Sequence, residues 1–226
     1  MRTLLHSPFD PISRQVRLIL YEKNITFQSR EFHPLDQKDD ILAVNPAGTL
    51  PVLIDEPPTG GEIAVSPTNA IAEYLEEAYP LPALMPATSA GRAEMRRLNA
   101  WFCDKFAPEI SSYLTYEFIE KRLKRLGQPD TERLRAGQKL LDWHLDYINY
   151  LCEHRSWLAG NKMTIADLYC AAHLSCLDYC DLIQWRNYNF AKEWYAKIKS
   201  RPSFKPLLLE RVPGLPAARH YDNLDF

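Results

Sequence analysis

The sequence predicts a chain of two domains, a small α/β domain followed by an all-α domain. Over the first third, short apolar runs alternate with polar residues and turn signals, as in strands. From Ala90 onward, apolar residues recur at helical spacing, and a proline-rich stretch at 80–86 separates the two patterns. We therefore predict domains over 1–82 and 83–212, followed by a tail over 213–226.

The composition excludes several classes of protein. With 226 residues, 46% of them hydrophobic and 25% charged, the chain is long and apolar enough to bury a core, so it is not a disordered protein. The net charge of -2 argues against binding to nucleic acid or to a membrane surface. Residues 1–82 contain six basic and twelve acidic side chains, however, so the excess of positive charge lies in the second domain. An acidic partner is expected to contact that domain.

The cysteines and histidines indicate core positions and no metal site. Five cysteines without a C-x-x-C pair are typical of reduced thiols in the cytoplasm. Cys176 and Cys180 are four residues apart, but with Cys170 they have small apolar neighbours and are interpreted as core. His144 and His173 are interpreted in the same way. The N-terminus does not resemble a secretory signal, and no apolar run reaches the ~20 residues of a membrane span.

The elements of the first domain follow in a recognisable order. A strand at 2–6 precedes a turn and an amphipathic helix, and further strands are predicted at 26–32, 51–54 and 63–65. A helix can then begin at Thr68. This βαβ unit followed by ββα is the layout of a thioredoxin-like domain.

Two local motifs are more specific. Pro51 is placed at the first residue of a strand, where its missing N–H costs no ladder bond, and a cis Leu50–Pro51 peptide would leave an edge able to pair with a peptide backbone. The motif L-x-G-x-x-M-T-I-A-D ends in a capping box, in which Thr164 and Asp167 cap the same helix. With the two-domain layout, these motifs resemble the cytosolic glutathione transferase superfamily over essentially the whole chain.

That resemblance implies a glutathione site, from which the sequence departs. The family places a hydroxyl or thiol where Asp10 stands here, and an ionised carboxylate would raise the pKa of a nearby thiol. Pro67 occupies the position of a family carboxylate, so only the Thr68 hydroxyl remains of that pair. We therefore expect Leu50, Pro51, Pro67 and Thr68 to form a vestigial glutathione site, with no catalysis and no cofactor.

Two alternatives stay open at this point. The protein could be a glutathione S-transferase that conjugates or reduces small electrophiles, with Ser7 or Ser13 as a displaced hydroxyl. It could also be a chaperone-like module that uses the Leu50–Pro51 edge. We interpret Asp10 as a helix N-cap or turn residue and Ser13 as a solvated residue early in the first helix.

Within the superfamily, one branch is more similar. The segments beginning at Trp157, Ala171 and Ala191, and above all the tail from Arg211, resemble the bacterial FtsZ-localised protein A family. This resemblance implies a non-catalytic homodimer that binds the tubulin homologue FtsZ. Such a protein would regulate FtsZ filaments and constriction at the division site in the cytoplasm.

Two surfaces are candidates for the partner. The densest basic run could attract an acidic partner, although a solvated helix face is the alternative; it comprises Lys121, Arg122, Lys124 and Arg125. In the tail, Pro213 and Gly214 favour an extended strip, which either anchors a partner or packs back on its own domain. The predicted tail contacts are His220, Tyr221, Asp222, Leu224, Asp225 and Phe226.

Overall fold

The N-terminal part of the chain forms a mixed sheet with helices beside it. A computed structural model describes residues 2–33, 38–57 and 60–224. Among these residues, four strands form one sheet in the order β2-β1-β3-β4, with β2 parallel to β1 and the other pairs antiparallel. The elements are β1 Thr3–His6, α1 Pro11–Glu22, β2 Gln28–Glu31, α2 Asp39–Val44, β3 Val52–Asp55, β4 Ile63–Val65 and α3 Thr68–Ala78. The predicted thioredoxin-like layout is confirmed.

The rest of the chain is helical, as predicted. Its elements are α4 Ser89–Ala100, a π-helical segment Trp101–Glu120, α5 Lys121–Leu123, α6 Thr131–His154, α7 Ile165–Tyr179, a 3-10 turn Trp185–Asn187, α8 Asn189–Lys199 and α9 Lys205–Leu208. The first three follow one another without a break. Pro108 lies inside the π-helical segment, where it lacks the N–H that an α-helix needs. The Ser112 hydroxyl donates a hydrogen bond to the Pro108 carbonyl.

Helix α7 is the centre of the core, since all of its side chains are buried. The predicted capping box at its start is confirmed. The buried Asp167 carboxylate accepts hydrogen bonds from the backbone N–H of Leu158 and of Thr164, both at 2.8 Å, and from Trp194 Nε1 at 2.9 Å. Cys170 and Cys176 are fully buried in the same core, which confirms their structural interpretation.

The two histidines predicted to be core residues are also confirmed. His144 accepts a hydrogen bond from Trp101 Nε1 at 3.2 Å, and its Nε2 lies 3.0 Å from Glu109 Oε2. His173 is 1% exposed and sits between the Gln15 side chain and the Ser111 hydroxyl. Burial lowers the pKa of His173 to about 3, so the ring is neutral.

A buried arginine joins the two domains. Arg14, in α1, donates from Nη1 to Ser175 Oγ in α7 at 2.7 Å and from Nε to the Pro8 carbonyl at 2.9 Å. Its Nη2 donates to Glu210 Oε2 at 2.8 Å, and the guanidinium lies over the Phe9 ring. The turn that enters α1, the helical domain and the C-terminal part of the chain therefore meet at one side chain.

Over the residues that the structure describes, no helix is both long and apolar enough to span a bilayer.

Candidate functional site

A cleft of about 360 Å³ opens between the two domains. The turn after β1 lines it with Ser7 and Asp10, and Leu50 lines it from the loop before β3. The helical domain contributes Ile119 and Lys124. Three features singled out in the sequence, the β1–α1 turn, the Leu50–Pro51 edge and the basic run, therefore meet at one site. Phe32, Ile41 and Leu123 supply further apolar lining.

Asp10 is the N-cap of α1, which agrees with its interpretation as a helix N-cap or turn residue. Its Oδ2 accepts hydrogen bonds from the Ser13 backbone N–H at 2.8 Å and from Ser13 Oγ at 2.7 Å, and its Oδ1 accepts from the Ile12 N–H at 3.3 Å. Burial raises the pKa of Asp10, although the hydrogen bonds from Ser13 oppose that rise. The carboxylate accepts hydrogen bonds here and gives none to a thiolate.

The interpretation of Ser13 as a solvated residue is wrong. Ser13 is fully buried because the N-cap turns its hydroxyl inward. Its Oγ donates to Asp10 and accepts the Ser7 backbone N–H at 3.2 Å. Ser7 is half-buried and lines the cleft, so of the two proposed substitute hydroxyls only Ser7 is placed to reach a ligand there.

The residues of the predicted vestigial glutathione site do not act together. Leu50 lines the cleft next to the buried Pro51, and Pro67 is exposed. Thr68 is 4% exposed, and its hydroxyl donates to Gln15 Oε1 at 3.3 Å and lies 3.3 Å from the Tyr169 hydroxyl. The expectation that this hydroxyl survives as a ligand contact is therefore corrected, since interior partners occupy it.

These contacts show that the chain's own residues do not fit glutathione in the manner of the family. A hydrogen-bond donor for the thiolate is replaced by the Asp10 carboxylate, which already caps a helix. A carboxylate for the γ-glutamyl ammonium is replaced by Pro67, and the adjacent hydroxyl is engaged inside the protein. The cleft is retained, but Asp10 and Pro67 do not supply the groups that the family uses at those two positions.

The basic run is partly neutralised by its own neighbours. Lys121 pairs with Glu117 at 3.0 Å, and Lys124 pairs with Glu120 at 2.9 Å. The run was expected to lie on a helix, but α5 ends at Leu123. Arg125 has a positive φ of 55° beyond that end, and its side chain is exposed. The run is therefore a helix end followed by a turn.

Arg122 connects this run to the tail, because its Nη1 donates to the Gly214 carbonyl at 2.8 Å. The predicted extended strip is wrong at that point. Val212 and Leu215 form an antiparallel bridge, and Gly214 adopts a φ of +71°, which favours glycine. The chain therefore turns back instead of continuing outward.

The tail packs on its own domain. Of its two interpretations, the structure favours this one over an anchor for a partner. Tyr221 is fully buried, its hydroxyl donates to the Leu207 carbonyl at 3.2 Å, and its ring meets the Tyr179 ring edge to face. Its predicted role as a partner contact is therefore corrected. Asp222 is exposed and pairs with Arg211 at 2.6 Å, and Leu224 is 40% exposed. Asp225 and Phe226 lie outside the described residues.

A buried carboxylate that the sequence analysis missed holds this tail. Asp178 Oδ1 accepts hydrogen bonds from His220 Nε2 and Trp185 Nε1, both at 2.8 Å, and its Oδ2 lies 3.3 Å from Lys199 Nζ. Lys199 also donates to the His220 carbonyl at 3.2 Å. The signal that could have predicted a buried polar centre was Asp178 near the end of α7, between the apolar residues Leu177 and Tyr179.

Comparisons with known proteins agree with this geometry. Residues 4–83 match the family model described as glutathione S-transferase, N-terminal domain, and residues 125–211 match the corresponding C-terminal domain. The chain belongs to the glutathione transferase superfamily. It is 45% identical to FtsZ-localized protein A of Caulobacter vibrioides over 100% of this chain and 98% of that protein.

Solved structures show the same relationship. FzlA from C. crescentus superposes with a TM-score of 0.95 at 45% identity, covering 100% of this chain and 99% of that one. A glutathione S-transferase from Rhodospirillum rubrum F11 superposes with a TM-score of 0.94 at 42% identity, covering 100% of both chains. The superfamily and the branch suggested by the sequence are thus confirmed.

A second exposed surface lies on α6. From the sequence alone, its aromatic residues could belong either to the core or to an interface. Leu140, Trp143 and Tyr150 follow one face of that helix and are 36%, 49% and 55% exposed. Trp143 stacks on Trp101 with ring centroids 5.4 Å apart, and Lys105 Nζ lies 5.0 Å from the Trp143 ring centroid. We call these five residues the aromatic face. Such an exposed apolar patch is typical of an interface.

The His220–Asp178 contact predicts a pH-dependent tail. The hydrogen bond from His220 to the Asp178 carboxylate raises the pKa of His220, so the contribution of this contact to stability is complete below the unfolded value of about 6.5 and is lost as pH rises through the folded value. In urea unfolding, the difference in free energy between wild type and His220→Gln should shrink as pH increases. A pH-independent difference for His220→Gln would contradict this assignment.

The altered cleft predicts weak binding of glutathione. Because Asp10 and Pro67 supply neither a donor to the thiol nor a carboxylate to the ammonium, we expect a Kd above about 1 mM by calorimetric titration. The double variant Asp10→Ser, Pro67→Glu, which returns the family's groups, should bind more tightly than wild type. Micromolar binding to the wild-type protein would overturn the conclusion that the site does not fit.

Proposed function

We propose that this protein is a non-catalytic homodimer that binds FtsZ filaments and regulates constriction at the division site in the cytoplasm. The similarity to FtsZ-localized protein A supports this proposal most strongly, because it extends over the whole chain and includes the C-terminal tail. The chemistry of the cleft supports the non-catalytic part, since Asp10 and Thr68 are engaged in structural contacts. No cofactor, nucleic acid or membrane is required.

The geometry favours one surface for the filament. The Arg122–Gly214 hydrogen bond joins the basic run to the start of the tail, and Lys124 lies at the adjoining cleft. Arg125 is exposed beside them, and the described residues give its side chain no hydrogen bond or ion pair. An acidic surface placed against this region would gain electrostatic contacts with its cations. The gain at Lys121 and Lys124 would be smaller, because each already pairs with a glutamate of this chain.

The aromatic face is the proposed interface between the two subunits. Its exposed tryptophan and tyrosine side chains lie on α6, and burying them would remove apolar surface from water. A dimer presents two copies of each filament-binding surface. Neighbouring FtsZ subunits can then be bound together, and two weak contacts give high avidity along a polymer.

The filament contact is tested by reversing one exposed charge. Arg125→Glu should weaken co-sedimentation with polymerised FtsZ by about threefold to tenfold at low salt, with a smaller difference at high salt. Lys197→Glu is the matched control, because Lys197 is also exposed but lies on α8. Equal losses for the two variants would show a nonspecific charge effect. Absence of the wild-type protein from the pellet at low salt would refute filament binding itself.

The dimer is tested by placing a charge on the aromatic face. Trp143→Glu should shift the protein from dimer to monomer in sedimentation velocity, because a carboxylate would be buried at the interface without a partner. Phe190→Glu, at a 42% exposed apolar residue of α8, is the matched control and should remain dimeric. A wild-type monomer, or a dimeric Trp143→Glu variant, would contradict this interface.

A further inference from the structure

The segment from Glu210 to Leu215 contacts both walls of the cleft, the β1–α1 turn and the end of α5. We call it the C-terminal clamp. It follows α9, turns at Gly214, and precedes the buried Tyr221. On one side it contacts the turn after β1, and on the other it contacts α5, whose last residues face the cleft.

The contact with the first wall is ionic and largely buried. The Glu210 carboxylate accepts a hydrogen bond from Arg14 Nη2 at 2.8 Å and also pairs with Arg17 Nη2. Both guanidinium groups donate to the Pro8 carbonyl, at 2.9 Å from Arg14 Nε and 3.3 Å from Arg17 Nη1. Pro8 is adjacent to Ser7, which lines the cleft. The clamp thereby holds the backbone of this wall through two arginines.

At the second wall, Arg122 Nη1 donates an exposed hydrogen bond to the Gly214 carbonyl. Arg122 directly precedes Leu123 and Lys124, which line the cleft. Between the two contacts lies a second cavity of about 260 Å³. Its lining includes Ser7, Phe9 and Leu123 from the cleft walls and Val212 and Pro213 from the clamp.

We infer that the C-terminal clamp sets the separation of the cleft walls, so that movement of the tail and occupancy of the cleft are coupled. The inference deepens the proposed function, since it makes tail and cleft one regulated binding unit, but the coupling itself requires no FtsZ. Linkage makes it reciprocal: a partner that pulls on the tail changes the cleft, and a ligand in the cleft changes the tail.

The two contacts differ in strength, which determines where the clamp opens. Removing Glu210 would leave two buried guanidinium groups without their carboxylate, a strongly destabilising change. The Arg122 contact is exposed and ends on a neutral carbonyl, so it is the weaker one. The Arg122 contact is therefore the first to open, and because Glu210 stays bound to the two arginines, movement of the clamp is transmitted to the β1–α1 turn.

Hydrogen exchange on the full chain tests the coupling. Two reporter amides are Leu215 N–H, bonded to the Val212 carbonyl at 3.1 Å, and Asp10 N–H, bonded to the Ser7 carbonyl at 3.2 Å. Arg122→Ala should accelerate exchange at both, on the order of fivefold, the lower range of coupling between two sites. Arg125→Ala changes a neighbouring exposed arginine and should leave both rates at the wild-type value. The amides of α6 report global unfolding and should not change in either variant.

Any other pattern of exchange at the two amides would contradict the proposed coupling. Faster exchange at Leu215 alone would show that the tail moves without the cleft, and unchanged exchange at both amides would show that Arg122 does not hold the clamp. Glu210→Gln gives an independent measurement. If this variant folds, exchange should accelerate more at Asp10 than at Leu215, because Glu210 holds the β1–α1 turn. If Glu210→Gln does not fold, the comparison of Arg122→Ala with Arg125→Ala still decides the question. Because no FtsZ is present, these outcomes are separate from the co-sedimentation result.

Discussion

The buried guanidinium of Arg14 is the contact on which the arrangement of this protein depends. It has no exposed surface, and it joins α1 to Ser175 of α7, to the Pro8 carbonyl and to Glu210. Burying a charge is costly unless it is paired and fully hydrogen-bonded, and these partners meet that requirement. Their positions are therefore linked, because displacing any one of them leaves a buried charge or donor unsatisfied.

This constraint explains how the β1–α1 turn keeps its shape after its chemistry has changed. Arg14 holds the turn from inside, and Asp10 caps the helix with three accepted hydrogen bonds. Ser13, buried beneath, completes the turn through the Ser7 N–H. A position that the family uses to activate a thiol here stabilises a helix terminus. The cleft can persist as a binding surface because the groups that shape it differ from those that would react.

The fold could be predicted from the sequence because its signals are local. The strand signals, helical periodicity and the Thr164–Asp167 capping box each depend on residues a few positions apart, and the strands, helices and cap are confirmed. The alternation predicted for the second strand is not, since all four side chains of β2 are exposed. Some errors have local causes, such as the buried Ser13 and the turn at Gly214, whereas others arose where partners are distant in the chain. The burial of Tyr221 depends on Leu207 and Tyr179, and no periodic pattern reveals such a pairing. Arg14 and Glu210, 196 residues apart, show the same limit.

The basic run at Lys121–Arg125 shows why a run of cations in a sequence is a poor measure of a basic surface. Of its four cations, Lys121 and Lys124 have carboxylates four residues earlier on the same helical stretch, a spacing that favours ion pairs. Arg122 is directed to the tail. Because two of the four charges are paired within the chain, the contact that we propose with an acidic filament would be weak and reversible for one subunit alone. In the proposed complex, two subunits on a repeating polymer would combine several such weak contacts, which a single subunit on an isolated FtsZ molecule could not.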